Sequence, residues 1–176
     1  MNSATAARLI LSCTAFAIIP SANAAVANGT FQVLITITKS CTVTAGAASN
    51  INLGSVAASA VNTSQSNTFT VNCSKATPYF IGLAPSAANG GTTTGSGAMS
   101  SVLNFATNTD KVPYQLNQTS ATGPVWGNTA TTTTVGNGVA GLGTGLAISY
   151  RVYATAASAN YTPDSYADTV TVNVNY

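Results

Sequence analysis

Histidine and glutamate are absent from this sequence, and charged residues of every kind are scarce. Of its 176 residues 5% are charged, and the only acidic side chains are Asp110, Asp164 and Asp168. Without histidine the chain cannot build a Ser-His-Asp or Cys-His catalytic arrangement, and it lacks the commonest zinc ligand. The dispersed aspartates form no metal-binding pattern with the cysteines. We therefore expect no enzyme, no catalytic residue, no cofactor and no metal.

Two weaker signals for chemistry have simpler interpretations. Asp164 and Asp168 could suggest a paired-carboxylate glycosidase, but we expect Asp164 to support a turn and Asp168 to lie on a solvent face. The stretch from Gly136 to Gly141 matches Gly-x-Gly-x-x-Gly, yet a dinucleotide site needs a helix after it, and more glycine follows here. A flexible loop is the better interpretation. The five lysines and arginines form no patch, so nucleic acid is not an expected partner.

The first 24 residues have the features of a secretory signal peptide. Arg8 precedes an apolar run over residues 9–19, and Ala22-Asn23-Ala24 supplies small residues for cleavage after Ala24. Cys13 suggests a lipoprotein signal as an alternative, but the apolar run continues past it. This run is too short to span a bilayer stably, and no later run is long enough. We expect an exported protein without a membrane span.

Removal of the signal leaves two cysteines, Cys41 and Cys73. In an oxidising compartment an isolated pair indicates one structural disulfide, here closing a loop of 33 residues. A redox-active pair would more often be spaced as Cys-x-x-Cys beside an activating positive group.

The stretch Gly29–Thr38 has the strongest β-strand pattern near the start of the mature chain. Period-two alternation places four large apolar side chains on one face, and Leu34 is the one exception to the pattern. These four residues are Phe31, Val33, Ile35 and Ile37. Burying each one stabilises a protein by roughly 1.5–3 kcal/mol, so either the rest of this chain or another molecule should cover them.

The remainder of the chain predicts short strands separated by turns. The predicted strands are 41–44, 51–56, 68–73, 79–83, 102–105, 112–116, 146–152 and 166–176, and the predicted loops are 57–66, 87–97, 119–138 and 154–165. No segment has a helical period. This pattern predicts an all-β, antiparallel sandwich of immunoglobulin-like type.

The order of several motifs resembles a known family. The motifs are Cys41-Thr-Val, Thr-Phe-Thr-Val-Asn-Cys73, Val112-Pro-Tyr-Gln-Leu116, Val125-Trp-Gly and the ending from Tyr166 to Tyr176. They resemble the spore coat protein U domain, which is shared with subunits of archaic chaperone–usher pili. The resemblance covers residues 25–176. Ser165, where glycine is expected, and the Gly/Thr loop at 129–145 depart from the pattern.

The resemblance implies a division of the chain and a mechanism. The expected divisions are a signal peptide (1–24), a donor-strand extension (25–38) and a pilin domain (39–176). Such pilins are incomplete sandwiches that lack their last strand. A periplasmic chaperone fills the resulting groove, and at an outer-membrane usher the extension of the next subunit replaces the chaperone.

The same resemblance assigns roles to residues. Phe31, Val33, Ile35 and Ile37 match the donor face, while Val170, Val172, Val174 and Tyr176 match the strand that borders the groove and pairs with the chaperone. The implied product is a head-to-tail polymer of pilin subunits, exported through the periplasm to a surface pilus, fimbria or coat and serving adhesion or biofilm formation. The alternative is a secreted monomeric binding module whose N-terminal strand completes its own sheet. A secreted hydrolase is a third and weaker hypothesis.

Overall fold

A computed structural model describes residues 24–176, so residues 1–23 of the predicted signal peptide lie outside the described residues. The chain divides into a unit ending at Thr36 and a unit spanning Ile37–Tyr176. Residues 24–36 contain no helix or strand. The strand predicted at Gly29–Thr38 is therefore absent from the single chain. Phe31, Val33 and Ile35 are 85–88% exposed.

The second unit is built from two antiparallel sheets. Within the described residues one sheet has six strands in the order β1-β2-β7-β5-β4-β8, and the other has three in the order β6-β3-β9. The strands are β1 (Cys41–Thr44), β2 (Val61–Cys73), β3 (Pro78–Pro85), β4 (Ser96–Ser101), β5 (Lys111–Asn117), β6 (Val139–Leu142), β7 (Ala147–Ser158), β8 (Tyr166–Ala167) and β9 (Val170–Asn175). Two short 3-10 turns cover Ala47–Ser49 and Ala87–Asn89. The prediction of an all-β antiparallel sandwich is confirmed.

The core lies between the sheets and follows the predicted alternation. Phe69, Val71 and Cys73 of β2 are buried, as are alternate residues of β3. Trp126 lies in a segment predicted to be an ordinary loop, yet its side chain is fully buried. The indole Nε1 donates a hydrogen bond of 3.0 Å to the carbonyl of Ile81, which satisfies the polar atom of this large core residue.

Two strands are longer than predicted because they pair with each other. β2 begins inside the predicted loop 57–66, and β7 extends into the predicted loop 154–165. The two strands pair from Val61 opposite Ser158 to Asn72 opposite Ala147. Their outer halves are rich in Ser, Thr and Ala, so hydrophobic alternation does not mark them; the cross-strand partner supplies the order instead.

Two further strands form where the sequence predicts none: β4 begins inside the predicted loop 87–97, and β6 lies within the Gly/Thr loop at 129–145. Both depend on close packing. β4 includes Gly97, and β6 includes Gly141. A Cβ atom at Gly97 would come within 2.7 Å of the ring of Tyr114, and one at Gly141 within 2.3 Å of the ring of Tyr79. Glycine lets each strand lie directly on a tyrosine ring, which a hydrophobic pattern does not reveal.

The predicted strand at 102–105 is wrong. β4 ends at Ser101, and the next residues form a loop before β5. Val102, Leu103 and Phe105 are exposed on this loop. The pairing of β4 with β5 stops at Ser100 opposite Lys111, so the apolar residues have no neighbouring strand to hold them.

The predicted disulfide between Cys41 and Cys73 is present. The two residues lie directly opposite each other where β1 pairs with β2. The next pair along the two strands is Ser40, which precedes Cys41, and Ser74, which follows Cys73. The N–H and the Oγ of Ser74 both donate to the carbonyl of Ser40, and the N–H of Ser40 donates to the Oγ of Ser74. Because β1 has only four residues and lies at the sheet edge, the crosslink fixes the start of the domain.

Replacing both cysteines by alanine should lower the stability of the domain. Loop-closure entropy for this crosslink corresponds to about 3–4 kcal/mol, which for a domain of this size is a decrease in melting temperature of roughly 6–16 °C. Thermal unfolding followed by circular dichroism, with and without reductant, measures it. An unchanged melting temperature in the double variant would show that the crosslink does not constrain the unfolded chain.

Candidate functional site: a groove between the sheets

The C-terminal segment changes sheet part way along its length. β8 pairs with β4 in the six-stranded sheet, and β9 pairs with β3 in the three-stranded sheet. The single strand predicted for residues 166–176 is therefore wrong. Asp168 and Thr169 separate the two short strands, and they form the crossover between the sheets.

Asp168 anchors this crossover by hydrogen bonds. Its carboxylate accepts one from the hydroxyl of Tyr114 at 2.7 Å and one from the Nδ2 of Asn89 at 2.8 Å. The Nζ of Lys111 in turn donates to Asn89. Burial, and after it the bond to Asp168, raise the pKa of Tyr114, so this phenol keeps its proton and donates. The expectation that Asp168 lies on a solvent face is wrong.

Asp164 stabilises the turn before β8, in the role expected for it. Its carboxylate accepts hydrogen bonds from the side chains of Ser101 and Asn108 and from the N–H of Ser165. The hydrogen bond from Ser101 does most to lower the pKa of Asp164 to about 2. Asp164 and Asp168 thus bind different partners, and each has a structural role, which argues against the glycosidase interpretation.

β9 is an edge strand with one apolar face. Val170, Val172 and Val174 are half-buried and pack against the core. One edge of β9 pairs with β3, and within residues 24–176 no strand pairs with the other edge. Tyr176 lies beyond the end of β9 and is about half exposed. The structure therefore places three of the four predicted groove-edge residues on a single apolar face.

The segment 51–56, predicted to be a strand, has no regular structure. Ile51 and Leu53 nevertheless pack against the core, and the side chain of Asn67 holds the segment's start by donating to the carbonyls of Ala48 and Asn50. Among the described residues, only Gly54 of this segment has a partner for its backbone N–H, the side chain of Asn52 at 2.9 Å. The segment thus has the side-chain pattern of a strand without a strand's backbone pairing.

An open groove lies between this segment and the C-terminal strands. Its larger part has a volume of about 810 Å³. Segment 45–53 forms one side, residues 166–170 and Val172 form the other, and the floor is Phe69, Leu83, Met99, Tyr114, Leu116, Val152 and Ala154. A second part of about 670 Å³ continues towards residues 161–166. Both parts share Ile51, Asn52, Leu53, Met99 and Tyr166 in their linings.

The groove has the properties of a site for an extended peptide. Its floor is mostly apolar, and unpaired backbone lies on both sides, an arrangement that a β-strand with alternating apolar side chains can satisfy. Among the described residues no group of three or more His, Cys, Asp or Glu could hold a metal ion. The sequence did not assign Ile51, Leu53, Tyr114 or Asp168 to the groove. The alternation at 51–53 was an available signal for Ile51 and Leu53, whereas no local pattern marks the contact between Tyr114 and Asp168.

The described residues therefore form an antiparallel β-sandwich in which an open apolar groove lies beside an unpaired edge strand. The family model for the spore coat protein U domain matches residues 27–173. The chain therefore belongs to the spore coat protein U domain family, which confirms the resemblance inferred from its motifs.

Other comparisons give more distant likenesses. No curated protein matches the chain. A solved structure, described as the CsuC–CsuE chaperone–tip adhesion subunit pre-assembly complex from archaic chaperone-usher Csu pili of Acinetobacter baumannii, matches with 18% identity and a TM-score of 0.47. The match covers 80% of this chain and 40% of that one. In residues 24–176 no helix has the length and apolar character needed to cross a membrane.

Stability should depend on pH through Asp164. Its folded pKa of about 2 lies below the value of about 3.9 for an unfolded chain. The stabilisation is therefore fully present above about pH 5 and is lost as the pH falls towards 2. The variant Asp164→Asn should flatten the decline in urea unfolding midpoint between pH 5 and pH 2.5.

An exposed substitution provides the control for this measurement. Thr133 lies on an exposed loop, so Thr133→Ala should keep the wild-type pH profile. An Asp164→Asn profile as steep as that of wild type would contradict the assignment of this acid-sensitive stability to Asp164.

Proposed function

We propose that this protein is a non-enzymatic structural subunit of a surface pilus, fimbria or coat polymer, assembled by donor-strand exchange. The observation that carries the proposal is the groove, which has an apolar floor and unpaired backbone on both sides. A sandwich with this gap lacks one strand, and the strand that fills it comes from a neighbouring copy. Because each copy donates to the next, the contact does not close, and a fibre results.

The extension has the composition and length that the groove requires. Phe31, Val33, Ile35 and Ile37 alternate, and all four are more than 80% exposed. As a strand, Phe31 to Ile37 spans about 20 Å, similar to the length of β9 at about 3.3 Å per residue. Burying the four side chains would contribute roughly 6–12 kcal/mol, and the backbone edges of β9 and of segment 51–56 would gain hydrogen bonds.

The open groove also implies assistance before assembly. An unpaired apolar strand edge promotes aggregation unless a dedicated partner covers it. A periplasmic chaperone that pairs with Val170, Val172 and Val174 supplies that cover, and an outer-membrane usher exchanges it for the extension of the next subunit. The signal peptide predicted at residues 1–24 directs export, and adhesion or biofilm formation is the role of the assembled fibre.

The single-chain structure supports exchange over self-completion. Residues 29–38 contain no strand, and neither sheet described here begins before Cys41. A monomeric binding module that completes its own sandwich would pair this segment with β9.

Changing one donor residue tests the proposal. In the variant Ile35→Asp a charge replaces a side chain that must enter an apolar groove, so polymers should be lost while export continues. Gln32→Asp is the matched control, because Gln32 faces away from the groove in the extended donor and polymers should persist. Detergent-resistant ladders on unboiled gels and size-exclusion chromatography of the secreted protein measure both variants.

Deleting residues 25–38 provides a second test. The shortened chain should form no ladders and should need a chaperone or an added donor peptide to remain folded. A full chain that stays monomeric at high concentration would refute the proposal and favour the self-completed module. Normal ladders from Ile35→Asp would refute the assigned donor face alone.

A further inference from the structure

Two exposed apolar patches lie on parts of the domain that the groove does not use. The loop patch consists of Val102, Leu103 and Phe105, which are 50%, 71% and 76% exposed. The turn patch consists of Leu142 and Leu146, which are 58% and 72% exposed. We propose that in the fibre the loop patch of one copy packs against the turn patch of the copy that donates its strand. This inference rests on the proposed function and adds a second contact between successive subunits.

The loop patch is held in place by hydrogen bonds. The N–H of Val102 donates to the carbonyl of Ser165 at 2.8 Å, and the N–H of Asn104 donates to the hydroxyl of Ser101 at 3.1 Å. Asn108 closes the loop by donating to Asp164 and to the hydroxyl of Tyr166. The polar groups thus bond inward to the turn before β8, and the apolar side chains point into solvent.

The turn patch lies where the extension enters the domain. The N–H of Gly145 donates to the carbonyl of Cys73 at 3.0 Å, and the N–H of Ala76 donates to the carbonyl of Gly143 at 2.8 Å. Cys73 is the disulfide partner of Cys41, the first residue of β1. A copy that donates residues 29–38 therefore brings its own turn patch close behind the donated strand.

The two patches lie at opposite ends of the domain. β7 has 12 residues, starting beside the turn patch at Ala147 and ending at Ser158, about 36 Å away at 3.3 Å per residue. β5 pairs antiparallel with β7, with Gln115 opposite Thr155 and Asn117 opposite Tyr153, so β5 starts at the Ser158 end of β7 and runs away from it. Ser100 lies opposite Lys111, the first residue of β5. The loop that follows β4 is therefore at the end of the domain opposite the turn patch.

The direction of the donated strand brings the two ends together. Every strand pairing in the two sheets is antiparallel. A donor antiparallel to β9 places Phe31 near Asn175 and Ile37 near Val170. The body of the donor copy then emerges beside Ser165, where the loop patch is anchored. Each patch is thereby covered by the other, which removes exposed apolar surface that a soluble subunit would otherwise retain.

Crosslinking within polymers of the full chain tests this contact. A photoreactive phenylalanine analogue replaces Leu103, and ladders are confirmed before irradiation. Mass spectrometry should then identify a crosslink from position 103 to a peptide of another copy that contains Leu142 or Leu146. The matched control carries the same analogue at Thr133, which is exposed but lies on neither patch, and it should give no crosslink to that peptide.

A cysteine pair gives an independent readout. The double variant Leu103→Cys with Leu146→Cys should form ladders that survive boiling and collapse when reductant is added, whereas either single variant should give ladders that boiling abolishes. Absence of ladders from the unmodified chain would overturn the proposed function and this inference together. Intact ladders with no crosslink between the two patches would overturn this inference alone.

Discussion

The hydrogen bond from Tyr114 to Asp168 is the interaction on which the arrangement of the groove depends. It fixes the point where the C-terminal segment leaves the six-stranded sheet, so β8 pairs with β4 while β9 pairs with β3. Since the phenol is buried and retains its proton, the bond is a charge-assisted one from a neutral donor to a carboxylate. It positions β9 as an edge strand, with Val170 and Val172 facing the groove.

The groove in turn explains why one segment with a strand-like sequence is irregular. Ile51 and Leu53 pack against the core as alternate residues of a strand would. A strand also needs backbone partners, and the described chain offers this segment none except the side chain of Asn52. A strand placed between residues 51–56 and β9 would give partners to both. The proposed donor strand would therefore account for both the irregular backbone of residues 51–56 and the unpaired edge of β9.

Much of the fold follows from local sequence pattern. The alternation in β2 and β3 sufficed to predict the core strands and the all-β class, and the isolation of Cys41 and Cys73 as the two cysteines of the mature chain sufficed to predict the disulfide. The errors lie where the deciding factor is a neighbour distant in sequence. β4 and β6 form because Gly97 and Gly141 fit against tyrosine rings, and the outer halves of β2 and β7 form because each is the partner of the other.

The sequence by itself determined the apolar donor-like face of residues 31–37, the class of fold and the family, because period-two alternation and motif order are properties of the chain alone. Only the tertiary structure decided where the groove lies, that Asp168 is a structural anchor, and that residues 166–176 form two strands instead of one. These depend on which strands become neighbours. The hydrogen bond from Tyr114 of the six-stranded sheet to Asp168 at the crossover determines which strands become neighbours there. No local sequence pattern encodes this contact.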